Sequence, residues 1–352
     1  MKKSMVFSIL MGAGAVTGVC ADEASAAYNI TIPAVPHESI AIPRVPPVKI
    51  RYEENATGNE REAGHAVSSK GLVRAIGFSK RTPPNWDKKE TVKTTKNAQV
   101  GDVNGSRVSL YLRGPLMDEA AVKSALEKAG FSVLAAFAID KKKKLVSVVF
   151  TDESLAEHAA KPKRGFAASL RVLVDRKNGQ ISIMNPLYVE KAFLQDDYDE
   201  AAAQKTLQKL RGAFSGLKNS DDSLKYALLP KYHFMDAMPY YQDMVEVGSG
   251  SNDVLLEKAR KSKKLAFEQK LSNGAVLIGV KLGRRTSKFV KKIGYHNAAL
   301  LPYPVLIENG KAKILEPKYY IAVMYPQLAM SEFMTIATVP GAIQKECDKI
   351  FR

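Results

Sequence analysis

The chain is poor in the residues that most often build chemistry. Its cysteines are Cys20 and Cys347 alone; if Cys20 is removed with a leader, no intramolecular disulfide can form. The five histidines are His37, His65, His158, His233 and His296. None stands three to five residues from another histidine or a cysteine, so zinc-ligand spacing is absent. There is no GxSxG nucleophile elbow, no P-loop glycine and lysine pattern and no EF-hand spacing. Past the first 21 residues no run of about 18 apolar residues occurs, so no membrane-spanning helix is expected there. The sequence therefore predicts neither a metal nor a cofactor, and it offers no catalytic motif.

What it does have is length, apolar content and positive charge. At 352 residues, 45% hydrophobic and 25% charged, the composition is that of a globular chain with room for two domains. The formal net charge is +17, which points to an anionic partner or to solvated lysine faces. The first residues, MKKSMVFSILMGAGAVTGVCA, carry Lys2 and Lys3 ahead of an apolar stretch from Met5 to Val19. Val19 and Ala21 are small residues where a signal peptidase requires them. The expectation is a signal peptide over 1–21, cleavage after Ala21 and a periplasmic product. Cys20 suggests a lipoprotein, but Val19 before it is a poor lipobox residue.

Residues 22–104 differ from the rest. Pro33, Pro36, Pro43, Pro46, Pro47, Pro83 and Pro84 interrupt alternating apolar and polar residues, which predicts a Pro-rich extended arm, partly disordered, with Trp86 pinning part of it. From 105 onward the periodicity changes. Val108–Leu112 alternate as a strand. Asp118 caps a helix whose apolar face is Val122, Leu126 and Ala129, and Gly130 stops it. Strands follow over 131–139 and 145–150. A hairpin turns at Asn178-Gly179, and a helix carries Ala203, Leu207, Leu210 and Phe214 on one face. The second half repeats this order: a strand at 244–247, a capped helix SGSNDVLLEKARK, a hairpin at Asn273-Gly274, another at Asn309-Gly310, and a C-terminal helix. In that helix Ile343, Cys347 and Ile350 share a face, so Cys347 reads as a core thiol.

Set side by side, Ala167-Ala168 match Ala298-Ala299, Val174 matches Val305, Asn178-Gly179 match Asn309-Gly310, Pro186 matches Pro317 and Tyr188 matches Tyr319, all at one constant spacing. The expected fold is α+β: two tandem β-α-β(4)-α repeats, over 105–218 and 244–352, joined by a Met- and Tyr-rich connector over 219–243. The string LLPYPVLIENGKAKILEPKYYIA resembles a widespread bacterial domain of unknown function, through Leu301, Pro302, Asn309, Gly310, Pro317 and Tyr319. In the first half Leu170, Asn178, Gly179, Pro186 and Tyr188 match it, with Arg171 in place of the proline. The resemblance implies a fold like that of the TATA-binding protein, a curved antiparallel sheet with helices on one face. It implies no activity. The family's Gly-Asn-Pro turn is replaced here by Thr151-Asp152-Glu153 and Lys281-Leu282-Gly283.

Several clusters invite a chemical reading and a plainer one. His233, Met235, Met238 and Met244 could offer soft copper ligands, but the plainer reading, a Met- and Tyr-rich connector that packs between the repeats, is preferred. Ser249–Asp253 suggest a phosphate cradle, or simple capping by Ser251 or Asn252. Asp196, Asp197, Asp199 and Glu200 suggest calcium, or favourable charge at a helix start. The strongest signal is basic: between Glu257 and Lys292 twelve cations face Glu257 and Glu268 as the only acids. The predicted anionic-surface residues are Lys258, Arg260, Lys261, Lys264, Arg284, Arg285, Lys288 and Lys292. The partners they suit are an anionic membrane surface or an envelope glycan; export argues against nucleic acid, to which only the fold resemblance points. The sequence reading is a non-catalytic periplasmic binding or interaction protein, with an envelope hydrolase or transferase in the inter-repeat cleft as the alternative.

Overall fold

A computed structural model describes residues 98–352. The expected signal peptide, its cleavage point and Trp86 lie outside the described residues, as does nearly all of the expected arm. The described chain is mixed α+β with antiparallel sheets.

Its first half runs β1 (Arg107–Ser109), β2 (Tyr111–Pro115), α1 (Glu119–Lys128), β3 (Ser132–Ala138), β4 (Leu145–Thr151), α2 (Glu153–Ala159), β5 (Leu170–Asp175), β6 (Gln180–Met184), α3 (Pro186–Leu194) and α4 (Glu200–Ala213). Two short strands follow, β7 (Lys218–Asn219) and β8 (Ser223–Lys225). The second half runs β9 (Val245–Ser249), α5 (Asn252–Lys261), β10 (Leu265–Lys270), β11 (Val276–Val280), α6 (Phe289–Ile293), β12 (Tyr303–Glu308), β13 (Lys311–Ile314), α7 (Pro317–Met324), α8 (Met330–Met334) and α9 (Val339–Phe351). The strands form a six-stranded sheet, β3-β4-β5-β6-β2-β7, a five-stranded sheet, β10-β11-β12-β13-β9, and a small pair, β1-β8.

The local signals act as their chemistry requires. The Asp118 carboxylate accepts from Ala121 N at 2.7 Å, Glu119 and Lys128 sit at the helix ends that favour their charges, and Val122 and Leu126 are buried. At the β12–β13 hairpin both Asn309 and Gly310 have positive φ, 51° and 74°, the type I′ geometry that matches strand twist. The β5–β6 turn is built differently. Only Gly179 is left-handed there, and the Asp175 carboxylate holds the loop by accepting from the backbone of Lys177 and Asn178 and from Asn178 Nδ2 at 2.6 Å.

Two expectations need correction. The single strand over Val108–Leu112 is two strands. At Leu110 the chain changes partners, donating to Asp222 O and accepting from Asn185 N, so β1 pairs with β8 while β2 enters the large sheet. Helices α3 and α7 were not foreseen. Each starts at a proline, Pro186 or Pro317, capped by Asn185 or Glu316, and each is buried on nearly all sides, so its sequence shows no 3.6 periodicity.

Short helical turns tie the halves together. Tyr295–Leu300 packs on β4, β5 and β6, and Gly165–Ala167 packs on β11 and β12. The Tyr295–Leu300 turn thus lies against β4 and β5, with α1 also packed on β4, and both strands are buried at every position. Tyrosine hydroxyls stitch the same region: Tyr188 Oη donates to Val323 O at 2.7 Å and Tyr320 Oη to Leu300 O at 3.0 Å. Arg171, standing where the family resemblance expects proline, donates to Ala299 O, Leu300 O and Tyr320 Oη. No helix among the described residues is long and apolar enough to cross a membrane.

Candidate functional site

The basic stretch divides into tied and free cations. On α5, Lys258 Nζ donates to Phe351 O at 2.6 Å. Arg260 forks onto both Glu268 oxygens at 2.8 and 2.6 Å and reaches Glu257 at 2.8 Å. Lys264 pairs with Glu346 at 2.9 Å, and Lys292 Nζ donates to Thr335 O at 2.8 Å. The other four, Lys261, Arg284, Arg285 and Lys288, are exposed and have no partner among the described residues. Glu346, which no sequence spacing reveals, organises this region. Besides Lys264 it accepts from Gly283 N at 2.5 Å and from Thr286 Oγ1. Burial alone would raise its carboxyl, yet the hydrogen bonds from Thr286, Lys264 and Gly283 hold it below the usual range. One carboxylate thus brings the end of α5 and the Gly283–Thr286 turn together on α9, and Arg284, Arg285 and Lys288 emerge from that turn.

A second place was not legible in the sequence. A cleft of about 410 Å³ opens where β2, β6 and β7 meet the Tyr295–Leu300 turn. Its floor is Arg113, lying against the Tyr111 ring at 5.0 Å. The guanidinium donates to Asp222 Oδ2 at 2.9 Å, Asn297 Oδ1 at 2.7 Å, His296 O at 2.6 Å and Ser182 Oγ. Asn297 Nδ2 in turn donates to Asp222 Oδ1 at 2.9 Å. Asp222 and Asn297 are both buried, so this is a closed network from three segments of chain. The rim is open. The side chains of Gln180 and Asp221 and the His296 ring make no hydrogen bond within the described residues. Asn219 uses only Oδ1, accepting from Gly101 N at 2.7 Å, and Gln327 only Nε2, donating to Asp221 O at 3.1 Å. Burial pulls the His296 imidazole below its usual pKa, with Asp222 opposing and Arg113 assisting.

The remaining sequence clusters are engaged structurally. His233 stacks on Tyr240 at 4.4 Å, and Met235, Met238 and Met244 pack against the core. Ser251 caps α5, while Asn252 bridges two hairpins by donating to Gly274 O and accepting from Gly310 N. Asp197 pairs with Arg164 and Lys161, and Asp199 caps α4. No group of three or more His, Cys, Asp or Glu among the described residues could hold a metal ion. Cys347 is buried, and burial pushes its thiol up to about 12, which makes it an inert core group.

Compared with known proteins, the chain matches no protein-family model, no curated protein and no solved structure.

Proposed function

We propose that this is an exported, non-catalytic binding protein of two duplicated α+β repeats, which engages an anionic envelope surface through Lys261, Arg284, Arg285 and Lys288. The duplication is supported by the gap-free sequence match and by strand order: β3-β4-β5-β6-β2 in one sheet corresponds to β10-β11-β12-β13-β9 in the other. The binding reading is carried by one observation. Four exposed cations have no acid partner among the described residues and emerge from, or beside, a turn held by Glu346. The tied cations Lys258, Arg260, Lys264 and Lys292 frame this surface, with much of their charge committed within the fold. Near an anionic membrane each free lysine or arginine contributes about 1 kcal/mol, so four give measurable adhesion at low salt.

The enzyme alternative is weaker. The His296 ring in the cleft has neither a hydroxyl nor a carboxylate of the described residues within hydrogen-bond reach to form a nucleophile and base pair.

Co-sedimentation with anionic and neutral vesicles tests the proposal. Binding to anionic vesicles should be strong where the Debye length is about 30 Å, at roughly 0.01 M salt, and fade toward 8 Å at roughly 0.15 M. Arg284→Glu with Arg285→Glu should abolish it. Equal binding to neutral vesicles, or a double variant that behaves as the wild type, would overturn it.

A further inference from the structure

We propose that the cleft between β2, β6 and the Tyr295–Leu300 turn is a binding site for a neutral polyhydroxylated ligand, a sugar unit, held by Gln180, Asn219, Asp221, His296 and Gln327. This goes beyond the basic face and does not depend on it. The volume of about 410 Å³ lies in the range of small-molecule sites, roughly 300–1,000 Å³, and accommodates a single ring.

The chemistry of the walls selects the class of ligand. An anion is disfavoured, because the guanidinium of Arg113, the arginine among the described lining residues, already donates to four acceptors and both of its terminal nitrogens are occupied. Among the described residues the Asp221 carboxylate stands on the rim without a side-chain partner, and it repels anions. An organic cation finds a single free carboxylate and no aromatic cage, since the Tyr111 and Tyr325 rings are buried. What the described rim leaves without a hydrogen-bond partner is a set of planar polar groups: the half-buried Gln180 amide and His296 imidazole, and the exposed Asn219 Nδ2, Gln327 Oε1 and Asp221 carboxylate. Together they offer donors and acceptors. Adjacent hydroxyls of a sugar ring, each both donor and acceptor, satisfy such a set without introducing a charge. The closed Arg113 network keeps the floor rigid, so little order has to be gained on binding.

The test uses the full chain and four neutral probes: glucose, N-acetylglucosamine, maltotriose and the trimer of N-acetylglucosamine. Glucuronic acid and an alkylammonium salt are the charged comparisons. The His296 imidazole resonances should move with at least one neutral sugar and with neither charged probe; a trimer that binds better than its monomer identifies a glycan chain as the source. Asp221→Ala, an exposed change, should weaken binding about tenfold or more, the loss expected for a hydrogen bond to a charged group. It should leave vesicle co-sedimentation unchanged, which separates this site from the basic face. No movement of His296 with any neutral sugar, tighter binding of either charged probe, or unchanged affinity in Asp221→Ala would overturn the assignment.

Discussion

Arg113 and Arg260 are each held by several acceptors, and they live in opposite surroundings. Arg260 lies on the surface of α5 and forks onto Glu268 and Glu257. Arg113 lies beneath a cleft, its side chain 15% exposed, and answers Asp222, whose side chain is 9% exposed. A surface ion pair gains little, because water screens it and two long side chains lose freedom in making it. A buried charge gains little net stability as a pair, but it is expensive to abandon, since the partner left behind has no water to turn to. The number of hydrogen bonds therefore does not rank the two arginines; the fate of their partners does.

The largest expected effect follows. Arg113→Ala strands the Asp222 carboxylate and Asn297 Oδ1 in a buried site and should cost about 3–5 kcal/mol in urea unfolding. Replacing Arg113 by leucine and Asp222 by asparagine together should recover part of that loss, because no buried charge then remains. A single Arg113→Ala variant with wild-type stability would break the comparison.

Glu190 shows what a buried carboxyl does without an arginine. It lies in α3, 2% exposed, with Oε1 unpartnered. Burial pushes it up from the usual 4.5 to about 8, helped by the nearby charges of Asp152 and Asp199. In the unfolded chain the proton leaves near the usual value. The group's contribution to stability is thus fully present below that value, declines as pH rises, and is lost once pH passes about 8. At about 1.4 kcal/mol per unit the whole window amounts to at most about 5 kcal/mol, and relaxation of the site reduces it. Glu190→Gln removes the titration. Relative to wild type, the variant should gain about 2–4 kcal/mol between about pH 5 and about pH 9. Taking the difference between the two pH values cancels any constant cost of the amide. Parallel stability curves would show that Glu190 is not buried as a neutral acid.

How much of this was legible in the sequence depends on how local each signal is. Helices α1, α4, α5 and α9 carry caps or an apolar stripe, and the hairpins carry Asn-Gly, so both could be read from neighbouring residues. The runs PLYVEKAFL and PKYYIAVM could not be assigned, because burial on nearly all sides erases the period that distinguishes helix from strand. The basic stretch was visible as charge, but which cations are free was not. That depends on Glu346, Thr335 and Phe351, which meet α5 and the Gly283–Thr286 turn only in the fold. The cleft left no local trace at all. Arg113 and Gln180 sit on different strands, Asn219 and Asp221 follow α4, and His296 and Gln327 come from the second half; none belongs to a motif.

The smallest expected effect sharpens the comparison from the other side. Arg260→Ala removes three charge-assisted hydrogen bonds but leaves Glu257 and Glu268 in contact with water, so both acids are resolvated rather than stranded. The unfolding midpoint should stay within error of wild type at moderate salt. Any residual difference should disappear near 1 M salt, where the Debye length falls to about 3 Å. The cost of Arg113→Ala, by contrast, should persist at the same salt, because the Asp222 side chain left behind is only 9% exposed and loses a partner rather than a screened attraction. Measuring both variants at low and high salt separates screening from desolvation in one experiment. If Arg260→Ala proves as costly as Arg113→Ala, or if salt erases both effects alike, then exposure of the partner is not what sets the value of an arginine in this protein.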